Sequence, residues 1–568
     1  MNKKLFLSLP LVLFLSCCAV SKTSSKINSS NSSSSEPRTS SSSGSSSSSS
    51  SSSGQDGSKK DEYDEQGRLI LELKNVYFDQ WDGSDTYTEE LNEKFGVKIR
   101  PNSYDYYSWD EMVNASINGG HLQDVIHFNL NSLNYGQSYL RWAKENVLKP
   151  LPTDLTKWAH IKQMIENTSN INALKVDGKL YCIPIVNNIK NYSKVFSNFT
   201  YIYRRDWAKK IDELNAGNPS WEKVYKEGDV YTWEEFNRLL NAFKIYIGTL
   251  SGSTHNNVMV DEIWGFPSVT NFYKDVPQCF SKDNSGRAIN AFTSDKYVAG
   301  LDKTKEFVTN EWYSQDQFAF QQDMAYESYR ASKAAILYDN FSLENYFKIR
   351  KQMSKLGPYD VDDATAILKV KGPDGKYALE ESENWFSATM FNYEISENKM
   401  NKILDIMDYL LSEEGTRLAI FGKENVDYHI EEGEVVLNED AWEKDGEGKY
   451  VYKTNGAKYL RYMVTLGGDT KSFDPYTDLQ SFNLLNGWEQ AMKTAKDDNE
   501  LRIVKEPSDI KWMSTPTKNE KTESLLNDAN VYALKYVFSK ITKEGYESSF
   551  NNAIWNTVLN EINERLGF

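Results

Sequence analysis

Cysteine is nearly missing from this chain. Four occur in 568 residues: Cys17, Cys18, Cys182 and Cys279. They are too few and too scattered for a disulfide framework, and no Cys/His spacing suits zinc. Cys182 lies inside an apolar run, where a thiol behaves as a small buried hydrophobe. Histidine is almost as scarce, with five in all. His121, His127, His160, His255 and His429 show no metal-ligand spacing such as H-E-x-x-H. A G-x-S-x-G elbow, a Walker loop and a Gly-rich dinucleotide fingerprint are absent too, so no enzyme class is indicated by motif and no cofactor is expected. Carboxylates abound, but a glycosidase dyad is defined by a separation in space, and no pair stands out along the chain. Cationic charge is in deficit. The formal net charge is −16, which argues against a polyanionic nucleic acid as partner. Long apolar runs are lacking as well. Residues 5–15 form one, but it falls short of the roughly 20 residues a spanning helix needs.

What is present begins with that run. Lys3 and Lys4 precede it, as in a secretory signal. Its end, Phe14-Leu15-Ser16-Cys17-Cys18, resembles a bacterial lipobox. The small Ser16 favours Cys17 as the lipid-bearing residue, with Cys18 as the alternative, and a lipid there would tether the chain to the outer face of a membrane. Residues 21–60 are mostly serine and cannot bury apolar surface, so a tether without a fold is expected. Over the whole chain 13% of the residues are aromatic, with 35 Tyr and 14 Trp. Part of that is core. Rings with polar handles also suit a sugar-lined cleft. At this length two lobes are expected rather than one.

Strand and helix patterns alternate from residue 69 on: strands near 69–78, 97–100 and 125–128, with helices at 91–95 and 109–117. Such alternation predicts a parallel sheet covered on both faces, with ligands bound outside the carboxyl ends of the strands. That rule points to Trp81, Asp82, Asn129 and Asn131, each of which also reads as an ordinary loop residue. Thr232 and Glu235 form a capping box. Trp233, Phe236, Leu239, Leu240 and Phe243 then recur at helical spacing and are assigned to the core. Strands are predicted at 263–267 and 334–338, and Trp264, Asn271, Tyr338, Asp339 and Asn340 sit at or beyond their ends. Ser396 is placed to cap a helix striped by Met400, Ile403, Leu404 and Met407, and Gly422 to end the next one.

The stretch 175–207 organises the rest. Asp177-Gly178 supplies a hairpin turn, followed by an apolar strand that reaches an edge at Pro184, a polar segment, and a second apolar run at 199–203. This is either one hairpin inside a domain or a crossing between two lobes. DGKLYCIP at 177–184 resembles the "dGKlYgiP" run of extracellular solute-binding proteins that serve ABC importers, and IYRRDW at 202–207 resembles the "yRkDWl" that follows it there. GHLQDVI at 120–126, TWEEF at 232–236, KAAI at 333–336, GPDGK at 372–376 and YLLSEEG at 409–415 match further motifs of the carbohydrate-type members, in the same order.

The resemblance implies an α/β, two-lobed periplasmic-binding-protein-like fold of type II, hinge-linked with a central cleft. The expected parts are a signal at 1–17, a tether at 18–62, one lobe at 63–186 and 385–470, and the other at 187–384 and 471–568. It also implies an oligosaccharide as ligand, permease subunits as partners, a monomer, and a lipid-anchored extracytoplasmic location. Asn187 and Asn188 take the place of a ligand contact beside the first crossover, and Trp385 opens the second. A peptide or other small solute is the alternative ligand; a secreted polysaccharide-degrading enzyme is the alternative class. In large relatives that bind acidic oligosaccharides, a calcium loop occupies the place of 253–262. Here Asn257, Asp261 and Glu262 remain, but Ser253 and His255 replace oxygen-rich ligands, so no metal is expected.

Overall fold

Ten strands carry the two main sheets of the computed structural model, which describes residues 61–568 except 106–107, 131–134, 188–195, 251–256, 263–266, 278, 320–323, 356–359, 432–433, 439–440, 445–449, 453 and 467–478. In chain order they are β1 (Leu69–Lys74), β2 (Val97–Asn102), β3 (Val125–Asn129), β4 (Cys182–Val186), β5 (Phe199–Tyr203), β6 (Val230–Tyr231), β7 (Asn257–Asp261), β8 (Ala334–Asn340), β9 (Ala366–Val370) and β10 (Trp385–Phe391). The first sheet has the order β2-β1-β3-β10-β4 and the second β6-β9-β5-β8-β7. The alternating pattern predicts parallel sheets, and β1, β2 and β3 do run parallel. Both sheets are nonetheless mixed: β10 opposes β3 and β4, and β5 opposes β8 and β9. The reason is topological. β5 and β10 are entered directly from the segments that pass between the sheets, so each starts at the edge where its neighbours end.

Local chemistry sets the elements. Asp177 and Gly178 take φ values of 49° and 77°, which closes the hairpin of Lys175–Val176 with Lys179–Leu180. Pro184 lies within β4, an edge strand, where a missing N–H is tolerated. The Thr232–Glu235 capping box starts the helix Trp233–Thr249, which buries Phe236, Leu239, Leu240 and Phe243. Ser396 caps Glu397–Leu411 through the Lys399 N–H, and Gly422 ends Glu413–Phe421. The predicted strand at 263–267 falls on residues 263–266, outside the described set. Ahead of it the apolar run Val258-Met259-Val260 forms β7 beside β8, and Pro267 precedes a 3-10 turn.

The buried clusters follow the sheets. One core takes residues from 69–186 and again from 385–464. Three others draw on 196–379 and 488–562, and a small one joins Ile420, Phe421 and Tyr428. The terminal helix Ala553–Leu566 closes the last of those three through Trp555, Val558 and Ile562. Cys182 is fully buried, and burial pushes its thiol up to about 12. Among the described residues no helix is long and apolar enough to cross a membrane.

Two buried carboxyls give the fold a pH dependence. Glu506, after the strand Leu501–Val504, is raised to about 7 by burial, against the pull of the Lys518 and Lys511 ammoniums. Asp261 is raised to about 6, again by burial. A carboxyl whose folded pKa lies above its unfolded value binds more protons folded than unfolded. Stability therefore falls as pH rises through the window between the two values, from roughly 4 to 7, and the loss is complete above it. The melting temperature should decline between about pH 5 and 7.5. Glu506→Gln should flatten the decline and exceed the native chain at pH 8 by roughly 2 kcal/mol. Scanning calorimetry across that range checks it; parallel profiles for the two proteins would remove Glu506 as the cause.

Candidate functional site

The two sheets meet where the chain passes between them. β4 leaves the first sheet at Val186, and β5 enters the second at Phe199. The return runs from Glu380 into β10. The antiparallel ladder between these passages has Asn187 N–H donating to Asn384 O at 2.7 Å and Ser197 N–H to Glu380 O at 2.9 Å. A third stretch joins them: Val186 N–H donates to Val464 O at 3.1 Å, and Leu466 N–H to Val186 O at 3.0 Å. The carboxyl ends of β1, β2, β3 and β4 and the start of β10 share one edge of the first sheet. In the second sheet, the ends of β7, β8 and β9 lie with the start of β5. The passages thus join the edges where α/β sheets bind ligands.

Glu383 is the hub of this junction. It is 3% exposed and accepts from Ser169 Oγ at 2.6 Å, Asn170 Nδ2 at 2.8 Å and Lys511 Nζ at 3.1 Å. Asn384 reaches the same loop: its Oδ1 accepts from the Ser169 N–H at 3.0 Å, and its Nδ2 donates to Asn167 O at 3.1 Å. Asn187 Nδ2 donates to Glu383 O at 3.3 Å. Trp385 and Trp512 pack with centroids 5.5 Å apart. One network therefore ties the 167–170 loop, the returning passage and the turn after the helix Ser508–Lys511.

The residues singled out from sequence fall into different classes. Asn129 ends β3, partly buried beside Ser387. Asn187 is exposed at the first passage. On the second sheet, Asn340 is exposed opposite Phe199, and Asn271 donates from Nδ2 to the Tyr338 hydroxyl at 3.0 Å. Tyr338 in turn stacks on Phe199, with centroids 5.6 Å apart and rings 27° from parallel. Asn271 is buried and Tyr338 packs on Tyr201 as well, with centroids 4.7 Å apart, so this edge leaves open the exposed Asn340 and the half-buried Phe199, a ring beside an amide as a pyranose face requires. Asp339 is buried within β8. Asp82 is exposed, and hydrogen bonds from Ser84 lower its pKa, so it organises its own turn.

Two tryptophans are corrections. Trp81 is buried, stacked on Tyr459 at 5.6 Å with its indole N–H given to Asp85 at 2.8 Å. Trp385 is fully buried, its N–H donated to Ser169 O at 2.7 Å. Neither offers an open face, because each indole fills the core beneath the edge. Asn131, Asn188, Trp264, Cys17 and Cys18 lie outside the described residues.

The calcium-like positions are recast as well. Asn257 and Asp261 belong to β7. Asp261 accepts from the Ser268 N–H at 2.8 Å, the Ser268 hydroxyl at 3.0 Å and the Tyr313 hydroxyl at 2.9 Å. The backbone N–H of buried Glu262 donates to Tyr338 O at 3.0 Å. Among the described residues no group of three or more His, Cys, Asp or Glu is placed to hold a metal.

Several residues at the junction edges escaped the pattern-based reading. Tyr77 and Tyr462 are half-buried, with centroids 5.2 Å apart. His127 sits beneath Tyr77 at 5.7 Å, and complete burial holds its imidazole well below the usual pKa, hence neutral. Tyr77 is the one a sequence signal could have found, since it lies two residues beyond Asn75, the polar residue that follows β1.

No protein-family model and no curated protein matches the sequence. Solved structures do resemble the fold. An extracellular solute-binding protein from Bifidobacterium longum subsp. infantis superposes with a TM-score of 0.58 at 13% identity, covering 88% of this chain and 96% of that one. The alginate-binding protein AlgQ2, solved without calcium ion, gives 0.56 at 15% identity over 88% and 98%. A human-milk-oligosaccharide-binding, ABC-transporter-associated protein from B. longum infantis gives 0.54 at 15% over 88% and 97%. The chain has the two-lobed α/β fold of periplasmic-binding-protein-like solute-binding proteins.

Proposed function

We propose that this protein is an extracytoplasmic solute-binding lipoprotein. It captures an oligosaccharide between two lobes and presents it to the permease of an ABC importer, changing nothing chemically. Cys17, or alternatively Cys18, carries the lipid. The lobes divide at the three passages, with 63–186 and 385–470 on one side and 187–384 and 471–568 on the other. The observation that carries the reading is the junction itself. Three hydrogen-bonded chain segments link two separately cored sheets, and they do so at the edges that carry Phe199, Tyr338 and Asn340 on one side and Tyr77 and Tyr462 on the other. Swivelling about such segments brings both edges onto a ligand, and the ligand favours the closed form because only there does it touch both. The named partners of the similar structures, alginate and milk oligosaccharides, agree with a glycan as cargo.

A thermal-shift screen against an oligosaccharide panel tests this. A cognate glycan at 100 times its Kd should stabilise the protein by about 2.7 kcal/mol. Small-angle scattering should show compaction with the same glycan, and no shorter product should form. Release of product assigns the protein to the degrading enzymes instead, and stabilisation without compaction refutes the closing cleft.

A further inference from the structure

We infer that Lys74 and Tyr104 form an anion-recognising subsite at the junction edge of the first sheet, so that the captured glycan carries a carboxylate or sulfate group. The inference rests on the glycan-binding reading above and adds the charge of the ligand to it.

Lys74 is the last residue of β1, in register with Asn102 of β2 and Ile126 of β3. It closes the carboxyl end of β1, three residues short of the level of Asn129 at the end of β3. Among the described residues four lysines are nine-tenths or more buried: Lys74 at 9%, Lys274 at 4%, Lys399 at 7% and Lys518 at 4% exposure. Three of them are fully matched. Lys274 pairs with Glu380 at 2.9 Å. Lys399 pairs with Asp124 at 2.9 Å. Lys518 donates to the carbonyls of Ile510, Lys511 and Met513 at 2.7, 3.0 and 2.8 Å. Lys74 has no such match. Its ammonium lies 4.2 Å from the centroid of the Tyr104 ring, and no carboxylate within the described residues answers it.

Tyr104 is the second observation. It is 1% exposed, and its hydroxyl makes no hydrogen bond. A buried phenol hydroxyl without an acceptor is a costly arrangement for a folded protein to keep, and the largely covered lysine over its ring has no counter-charge either. An incoming anion relieves both at once, since a carboxylate or sulfate oxygen accepts from an ammonium and a phenol together. Burial holds the Lys74 pKa below the usual lysine value, the direction expected of an ammonium without a resident counter-charge. The net charge of −16 does not forbid an anionic ligand. Exposed charges are screened over about 8 Å at physiological ionic strength, whereas an ammonium on a nine-tenths covered side chain acts at contact with less screening. Tyr77 and Tyr462 at the same edge favour a saccharide over a bare inorganic anion.

The test is calorimetric titration of the mature chain and its Lys74→Met variant with three probes of equal length: a tetragalacturonate, a sulfated galactan tetrasaccharide and a neutral galactotetraose. The native chain should bind one of the acidic probes at least about tenfold more tightly than the neutral one. Lys74→Met should lose about 10- to 100-fold of that affinity, as for a charged hydrogen bond. Its affinity for the neutral probe should not change. Without ligand, Lys74→Met should melt about 1–2 °C higher, because it removes a buried charge that nothing matches. Equal binding of neutral and acidic probes overturns the inference. So does a variant with unchanged affinity for the acidic probe and a lowered melting temperature, which assigns Lys74 to packing on Tyr104. If a broad panel of glycans, acidic and neutral alike, fails to bind, the glycan-binding reading itself falls.

Discussion

Glu383→Ala is expected to destabilise the protein by roughly 3–4 kcal/mol, more than removal of any exposed charge. The carboxylate is buried and accepts three donors, from Ser169, Asn170 and Lys511. Truncation leaves those donors without their acceptor, and each buried donor then bears its own desolvation cost. Lys511 is one-fifth exposed in its side chain and regains water, so it contributes least. Glu383→Gln separates shape from charge. Its one carbonyl oxygen can stand in for Oε1 toward Asn170 and Lys511, while its amide NH2 faces the Ser169 hydroxyl, which then has to accept, and it should cost roughly half as much. Urea midpoints with unchanged slopes measure both. The variant also reports on the hinge. Trp385 and Trp512 pack beside this network, so loosening it should shift tryptophan emission before global unfolding. A loss below about 0.5 kcal/mol with unchanged emission would show that the returning passage is held by its backbone ladder alone.

How much of this was legible beforehand depends on the scale of the signal. Contiguous signals were legible. The Asp177-Gly178 turn, the Thr232 capping box, the Ser396 cap and the apolar runs of β4, β5 and β8 each declare themselves within a few residues. The passage between sheets near 187–198 also followed from an ordered set of motifs. Burial of the tryptophans was not legible. Trp81 and Trp385 sit at strand edges, where a ring reads equally as platform or core, and only the partners Asp85 and Ser169, reached through the fold, decide it. The direction of β5 and β10 was hidden for a similar reason, because it depends on which edge the chain re-enters. Nothing local announces the role of Glu383-Asn384, because its partners lie more than 100 residues away on either side. The Asn257–Asp261 segment was read as part of a metal-like loop because its end carries acids. The Val258-Met259-Val260 run at its centre, a strand signal, outweighed them.

The same distinction between motif and role governs the second large effect. Asp124 belongs to the GHLQDVI stretch that carries part of the family resemblance, which tempts one to place it at the ligand. The fold puts it at the start of β3, the end of the strand opposite Asn129 and the junction. There its two oxygens accept from Lys399 Nζ at 3.1 and 2.9 Å, and Oδ2 also accepts from the Glu72 N–H at 2.8 Å. Both charged side chains are buried, so one pair pins β1, β3 and the helix Glu397–Leu411 together. Asp124→Ala strands an ammonium in the core and should cost roughly 3–5 kcal/mol. Lys399→Met strands a carboxylate and should cost nearly as much. Asp124→Leu combined with Lys399→Met exchanges the pair for apolar contact and should recover most of either loss. The cycle should therefore show a coupling of about 2 kcal/mol or more, read from urea unfolding. Glycan affinity, measured well below the melting temperature, should be unchanged in all three variants, since the pair lies at the far edge of the sheet. Additive losses would mean that the two charges are separately solvated. A weakened affinity in a variant that still folds would move Asp124 from scaffold to site.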